Sequence, residues 1–107
     1  MYLPSIYKKF SEKYPDIFNL YNDLGVACRN AGPLSEKDQN LVKLGIAIGS
    51  SSRGGGIMSH TRKALSSGAA PDEILQVVLL GLTTIGFPQM MAAMKWVDEV
   101  LSEQAAE

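Results

Sequence analysis

The chain has one cysteine, one histidine and one tryptophan in 107 residues, and its aromatic content is 7%. A single cysteine, Cys28, excludes an intrachain disulfide and a Cys-x-x-Cys redox pair. That cysteine usage fits a reducing compartment. A single histidine gives little support for a zinc or iron centre, which gathers several nitrogen, sulfur or oxygen ligands at characteristic spacings. The formal net charge is −1, so no excess of either sign dominates. Such a balance leaves no electrostatic footprint for duplex nucleic acid and little attraction to an anionic membrane. Long apolar runs are missing too. Lys8, Lys9, Glu12 and Lys13 interrupt any early leader-like segment, and Ile74–Phe87 is too short for an ordinary membrane span. These absences predict a soluble, cytoplasmic protein without nucleic-acid or membrane partners.

What is present is helical periodicity. Apolar residues make up 46% of the chain, a globular proportion, and the length suits a single domain over residues 1–107. A core this small gains from oligomerisation. Ile6 and Phe10 lie one turn apart in a first helix ending before Pro15. Ile17, Leu20, Tyr21, Leu24 and Cys28 recur at helical spacing over Asp16–Asn30, and Ala31-Gly32-Pro33 stops that helix. Cys28 on this stripe reads as a small buried packing residue.

Ser35 is an N-cap with Asp38 three residues on, an arrangement close to a capping box. The third helix it opens has Leu41, Leu44 and Ile48 on one face, and Val42, Gly45, Ile46 and Gly49 as a second close-packing face. Ser50 to Gly56 reads S-S-S-R-G-G-G, a glycine-rich loop in which backbone N–H groups can approach an anion. It lacks the Lys-Ser/Thr ending of a nucleotide P-loop. A fourth helix over Ile57–Ser67 turns Ile57, Thr61, Ala64 and Leu65 inward, and Gly68 suits its left-handed exit. Pro71, Asp72 and Glu73 open a fifth helix, apolar around its circumference, which predicts a central position or contacts on two sides. Pro88 restarts a helix carrying Met90, Met91, Met94, Trp96 and Val97, and the end from Ser102 is expected to fray. The fold class is all-α, with five or six helices in antiparallel hairpins.

His60 is the acid/base candidate, because an imidazole titrates near neutrality. Arg53 in the glycine-rich segment and Arg62 on the fourth helix are the candidates for holding an anionic substrate. Ser59 beside His60 is not a nucleophile by adjacency, since no nucleophile elbow or triad accompanies it.

The run His60-Thr61-Arg62-Lys63-Ala64-Leu65-Ser66-Ser67-Gly68, followed by Asp72-Glu73-Ile74 and then Gly86-Phe87-Pro88, resembles the carboxymuconolactone decarboxylase family and its alkylhydroperoxidase D-like relatives. The resemblance covers about Tyr14 to Leu101. It implies an all-α subunit that assembles into trimers or hexamers. The family's peroxidase branch uses Cys-x-x-Cys-x-x-x-His, and counting back from His60 puts Arg53 and Gly56 where the cysteines belong. The glutamate of the peroxidase proton relay falls at Leu41. The resemblance therefore points to the branch without the redox pair. Gln39 stands where an arginine is common in the decarboxylases. For that branch the resemblance implies a cofactor-independent lyase acting on a small carboxylated lactone, with His60 moving a proton and Arg53 or Arg62 holding the carboxylate. A non-catalytic ligand-binding or structural member is the alternative.

Overall fold

The architecture follows from where apolar side chains recur and where glycine and proline interrupt them. The computed structural model describes residues 5–50 and 54–106. Among these the chain forms six α-helices and one 3-10 turn, with no strand: α1 (Ser5–Lys13), α2 (Pro15–Arg29), α3 (Glu36–Gly49), α4 (Gly54–Ser66), α5 (Pro71–Leu79), the 3-10 turn Leu80–Thr83, and α6 (Phe87–Ala106). Two compact units divide the chain, Met1–Leu34 and Ser35–Glu107.

The first unit is the α1–α2 pair. Pro15 occupies the first turn of α2, where its missing N–H costs no helical bond. The Phe10 ring lies 5.6 Å from Tyr14 and 6.4 Å from Phe18, centroid to centroid. Ile6, Phe10, Ile17, Phe18 and Tyr21 line an open apolar groove of about 440 Å³. No residue of either helix is buried. Cys28 is exposed. This corrects the expectation of a packed thiol: the whole α2 stripe, with Ile17 at 56% and Leu24 at 61%, stays uncovered in the single chain. The exit also differs in detail, because Asn30 caps α2 in the right-handed region and no left-handed glycine is used there.

The second unit holds the core. Leu44 and Ile48 of α3, Ile57 and Ala64 of α4, Ile74 and Val78 of α5, and Met90, Ala93 and Val97 of α6 form one buried cluster. Each large aliphatic member contributes about 1.5–3 kcal/mol by leaving water. Ser35 caps α3, its Oγ accepting from the Asp38 N–H at 3.1 Å. Gly68 takes φ +97°, the left-handed exit of α4, and Gly86 takes the same value before α6.

Three expectations need correction. Gly54, Gly55 and Gly56 are helix, not loop, and form the first turn of α4. A Cβ on Gly54 would lie 2.6–2.7 Å from three atoms of the Trp96 indole, Cδ2, Cε2 and Cε3. The glycine is therefore a packing requirement: it lets the α4 backbone lie on the ring, and burial offsets its poor helix propensity. The second face of α3 is not closely packed, since Val42 and Ile46 are exposed. Val42, Gly45, Val77, Leu80 and Ile85 instead line an open groove of about 350 Å³. Finally, of the two placements expected for the apolar run after Ile74, the central one does not hold throughout. The α-helix ends at Leu79 and tightens into the 3-10 turn, which changes the angular period, and Leu79, Leu80 and Leu82 are exposed. At the other end, α6 runs to Ala106.

Candidate functional site

The α3–α4 hairpin positions His60. Asn40 Nδ2 on α3 donates to Ser67 Oγ at 2.9 Å and to the Lys63 carbonyl at 3.4 Å on α4. These contacts set an antiparallel register. One turn later on α3 comes Lys43; one turn earlier on α4 than Lys63 comes His60. Thr61 is fully buried and its hydroxyl donates to the Ile57 carbonyl at 2.8 Å, which turns that side of α4 into the core. His60, next in sequence, sits at the edge of the core and is half-buried.

The Nδ1 atom of His60 is enclosed and has no hydrogen-bond partner. Its imidazole is held below the ordinary 6.5, first by desolvation and then by the positive charges of Lys63 and Lys43. All three act against imidazolium, so the ring is neutral at physiological pH.

Arg62 points elsewhere. Its Nη2 meets Glu103 of α6 at 3.1 Å, with Arg62 26% exposed and Glu103 54%. Together with the Gly54–Trp96 contact, this pair shows α4 and α6 running in the same direction. Arg53 lies outside the described residues. Thus the structure pairs Arg62 with Glu103 and not with His60. It brings two lysines there, and sequence reading missed both. The His60/Lys63 spacing of three was a visible signal, whereas Lys43 becomes a neighbour only once the hairpin register is known.

A second electrostatic feature fixes the start of α5. Glu73 Oε1 accepts from the Ala70 N–H at 2.9 Å, and Oε2 accepts from Lys37 Nζ of α3 at 3.0 Å. Alanine at the cap has no side-chain acceptor, so this is half of a capping box. The Ala70 N–H and Lys37 hold the Glu73 carboxyl below its usual 4.5, and Glu73 in turn raises Lys37 above 10.5.

His60 lines neither of the two apolar grooves. Among the described residues no three His, Cys, Asp or Glu side chains gather as a metal site, and no helix is long and apolar enough to cross a membrane.

A six-helix fold without strands among the described residues, a histidine on the inner edge of a helical hairpin and a lone cysteine far from it in sequence define an all-α protein without a dithiol centre. The model of the carboxymuconolactone decarboxylase family matches residues 15–99, and the chain belongs to that family. Neither a curated protein nor a solved structure matches it. Position 56, where the peroxidase branch has its second cysteine, is a glycine one turn before His60 on α4.

Proposed function

We propose that the protein is a cofactor-independent decarboxylase of a small carboxylated lactone, with His60 as the proton-transfer group. The observation that carries this reading is the half-buried imidazole with an enclosed, unpartnered Nδ1 in cationic surroundings. With Nδ1 enclosed, Nε2 is the nitrogen that exchanges a proton with ligand. In the reaction the C–C bond to the carboxylate breaks, carbon dioxide leaves, and the electron pair enters the conjugated lactone. The carbon then takes a proton from His60, whose neutral ring takes one up from solvent to form imidazolium when the anionic substrate binds, and which recharges the same way after each turnover. Desolvation and the nearby lysines make that imidazolium a stronger acid than a free one. In this reading Arg62 leaves Glu103 to take a substrate carboxylate, or Arg53 takes it. Assembly into trimers or hexamers accompanies the activity, supported by the exposed Leu79, Leu80 and Leu82, and light scattering tests it.

The test is carbon dioxide release from carboxymuconolactone. His60→Gln should lose about 10²–10⁴-fold in kcat, the usual worth of a general acid. Unchanged turnover in that variant sinks the role of His60. A second reading is favoured by the absence of His60 from both grooves and by the Arg62–Glu103 pair: a family member that binds a carboxylated ligand without converting it. Saturable binding with no carbon dioxide release from the wild type selects it.

A further inference from the structure

We propose that the first turn of α4, Gly54–Gly56, is an opening element that lets water and ligand reach the enclosed side of His60. The inference rests on the reading of His60 above as the group that meets substrate, and it names what regulates that site.

Three consecutive glycines form this turn. Each disfavours the helical state by roughly fivefold relative to alanine, about a hundredfold for the three together. Packing accounts for only part of that sequence. Gly54 is buried and lies on the Trp96 ring, where no Cβ fits. Gly55 is exposed, and a Cβ on it would meet no atom within 4 Å. Gly56 is exposed as well. Nothing in the packing calls for a glycine at position 55, and its effect there is to weaken the turn.

The rest of α4 is anchored differently. Ile57, Thr61 and Ala64 are buried. Asn40 of α3 holds the last turn through Ser67 and the Lys63 carbonyl. The boundary between weak turn and anchored helix therefore falls at Ile57. The first turn can leave Trp96 while the remainder keeps its place, a local opening of the kind that runs in microseconds to seconds.

His60 sits on the anchored side and reaches back across that boundary. A helical side chain leans toward the N-terminus, over the turn before its own Cα. For His60 that turn begins at Gly56, which has no side chain. The helical ladder also joins the His60 N–H to the Gly56 carbonyl. Nδ1 of the ring is enclosed and unpartnered. Water that reaches it on opening supplies the hydrogen bond the closed form forgoes. The same water supports a charged ring, because imidazolium carries an N–H on both nitrogens and each needs an acceptor. The weak turn thus sets when the ring is wetted, charged and met by ligand.

Two substitutions of the same kind, one residue apart, test this in opposite directions. Amide hydrogen exchange of the full-length protein is followed by NMR at constant pH in low concentrations of urea. The N–H groups of Met58, Ser59 and His60 bond to the three glycine carbonyls. They should exchange with almost no dependence on urea, whereas Leu65 and Val78 should follow the urea-sensitive global unfolding. Gly55→Ala should slow exchange at Met58, Ser59 and His60 by about fivefold. Gly54→Ala pushes the turn off the indole and should speed it by about 5–30-fold. A turn governed by helix propensity alone would be slowed by both. Relaxation dispersion of the ring signals of His60, the sole histidine, reads the link to the site. Its exchange contribution should shrink in Gly55→Ala and grow in Gly54→Ala. Urea-sensitive exchange at Met58–His60, slowing by both substitutions, or a His60 ring that does not follow the amides overturns the proposal. The two proposals fail separately, since these readouts need no substrate. The expected exchange pattern without lactone turnover keeps the opening element and removes the decarboxylase reading. Lactone turnover with urea-sensitive exchange throughout α4 keeps the decarboxylase and removes the opening element.

Discussion

Gly54→Ala offers the sharpest test of how α4 is seated. The substitution adds one methyl at a position where the Cβ would meet three ring atoms of Trp96 at 2.6, 2.7 and 2.7 Å. Ordinary carbon contacts lie at about 3.5–4.0 Å, so roughly 0.8–1.4 Å must be recovered by moving the indole or the helix. The atoms struck belong to the rigid bicycle, not to a flexible chain end. Overpacking of this kind costs about 1–3 kcal/mol. Against it stands the helix-propensity gain of alanine over glycine, about 1 kcal/mol at most near a helix end. The net expectation is a loss of about 1–2 kcal/mol, seen as a Tm lower by about 5–10 °C for a domain of this size. Far-UV circular dichroism in a urea series measures it. A double-mutant cycle isolates the contact: in the Trp96→Leu background the same Gly54→Ala change should become neutral or stabilising, with a coupling of about 1–2 kcal/mol. A stabilising Gly54→Ala in the wild type, or an equal cost in both backgrounds, refutes the argument that Trp96 requires the glycine.

Leu44→Ala, at a fully buried site between α3 and its neighbours, should cost about 2–5 kcal/mol and be read in the same urea series. Glu73→Ala should lower Tm, whereas Glu73→Gln should lower it less, because the amide oxygen still accepts from the Ala70 N–H and only the full charge opposite Lys37 is lost. For His60 the folded pKa lies below the unfolded 6.5, so the unfolded chain binds more protons between the two values. The His60 contribution to stability is present above pH 6.5 and is lost as pH falls through the lower folded value; His60→Gln should flatten that part of the stability–pH curve.

The parts of the fold legible in sequence were those set by local chemistry. Ser35 caps α3 through the Asp38 N–H, Gly68 takes the left-handed exit and Pro71 starts α5, each within a few residues of its own signal. The failures share a different cause. Gly54–Gly56 carries a strong local message against helix, and only the Trp96 ring, more than forty residues away in sequence, overrides it. The apolar run after Ile74 reads as one continuous helix, and the 3-10 turn ends the 3.6-residue period at Leu80. At the candidate site His60 stood out because there is one histidine. The fate of Arg62 did not, since Glu103 reaches it from another helix. Nor did Lys43, which depends on the register set by Asn40. Family resemblance identified the scaffold and the missing cysteine pair, but the charges around His60 are a property of this chain's own packing.

The seating of Trp96 on the first turn of α4 also gives the molecule a built-in optical reporter. The protein has one tryptophan, so its intrinsic emission comes from a single place. That indole touches the backbone of Gly54 and has the Lys95 ammonium 5.5 Å from its ring. Any event that lifts the first turn of α4 from α6 exposes the ring to water and shifts its emission to longer wavelength. The same helix carries His60, one and a half turns further on. Motion of the catalytic candidate's own scaffold is thus observable in unlabelled protein, in real time and at micromolar concentration.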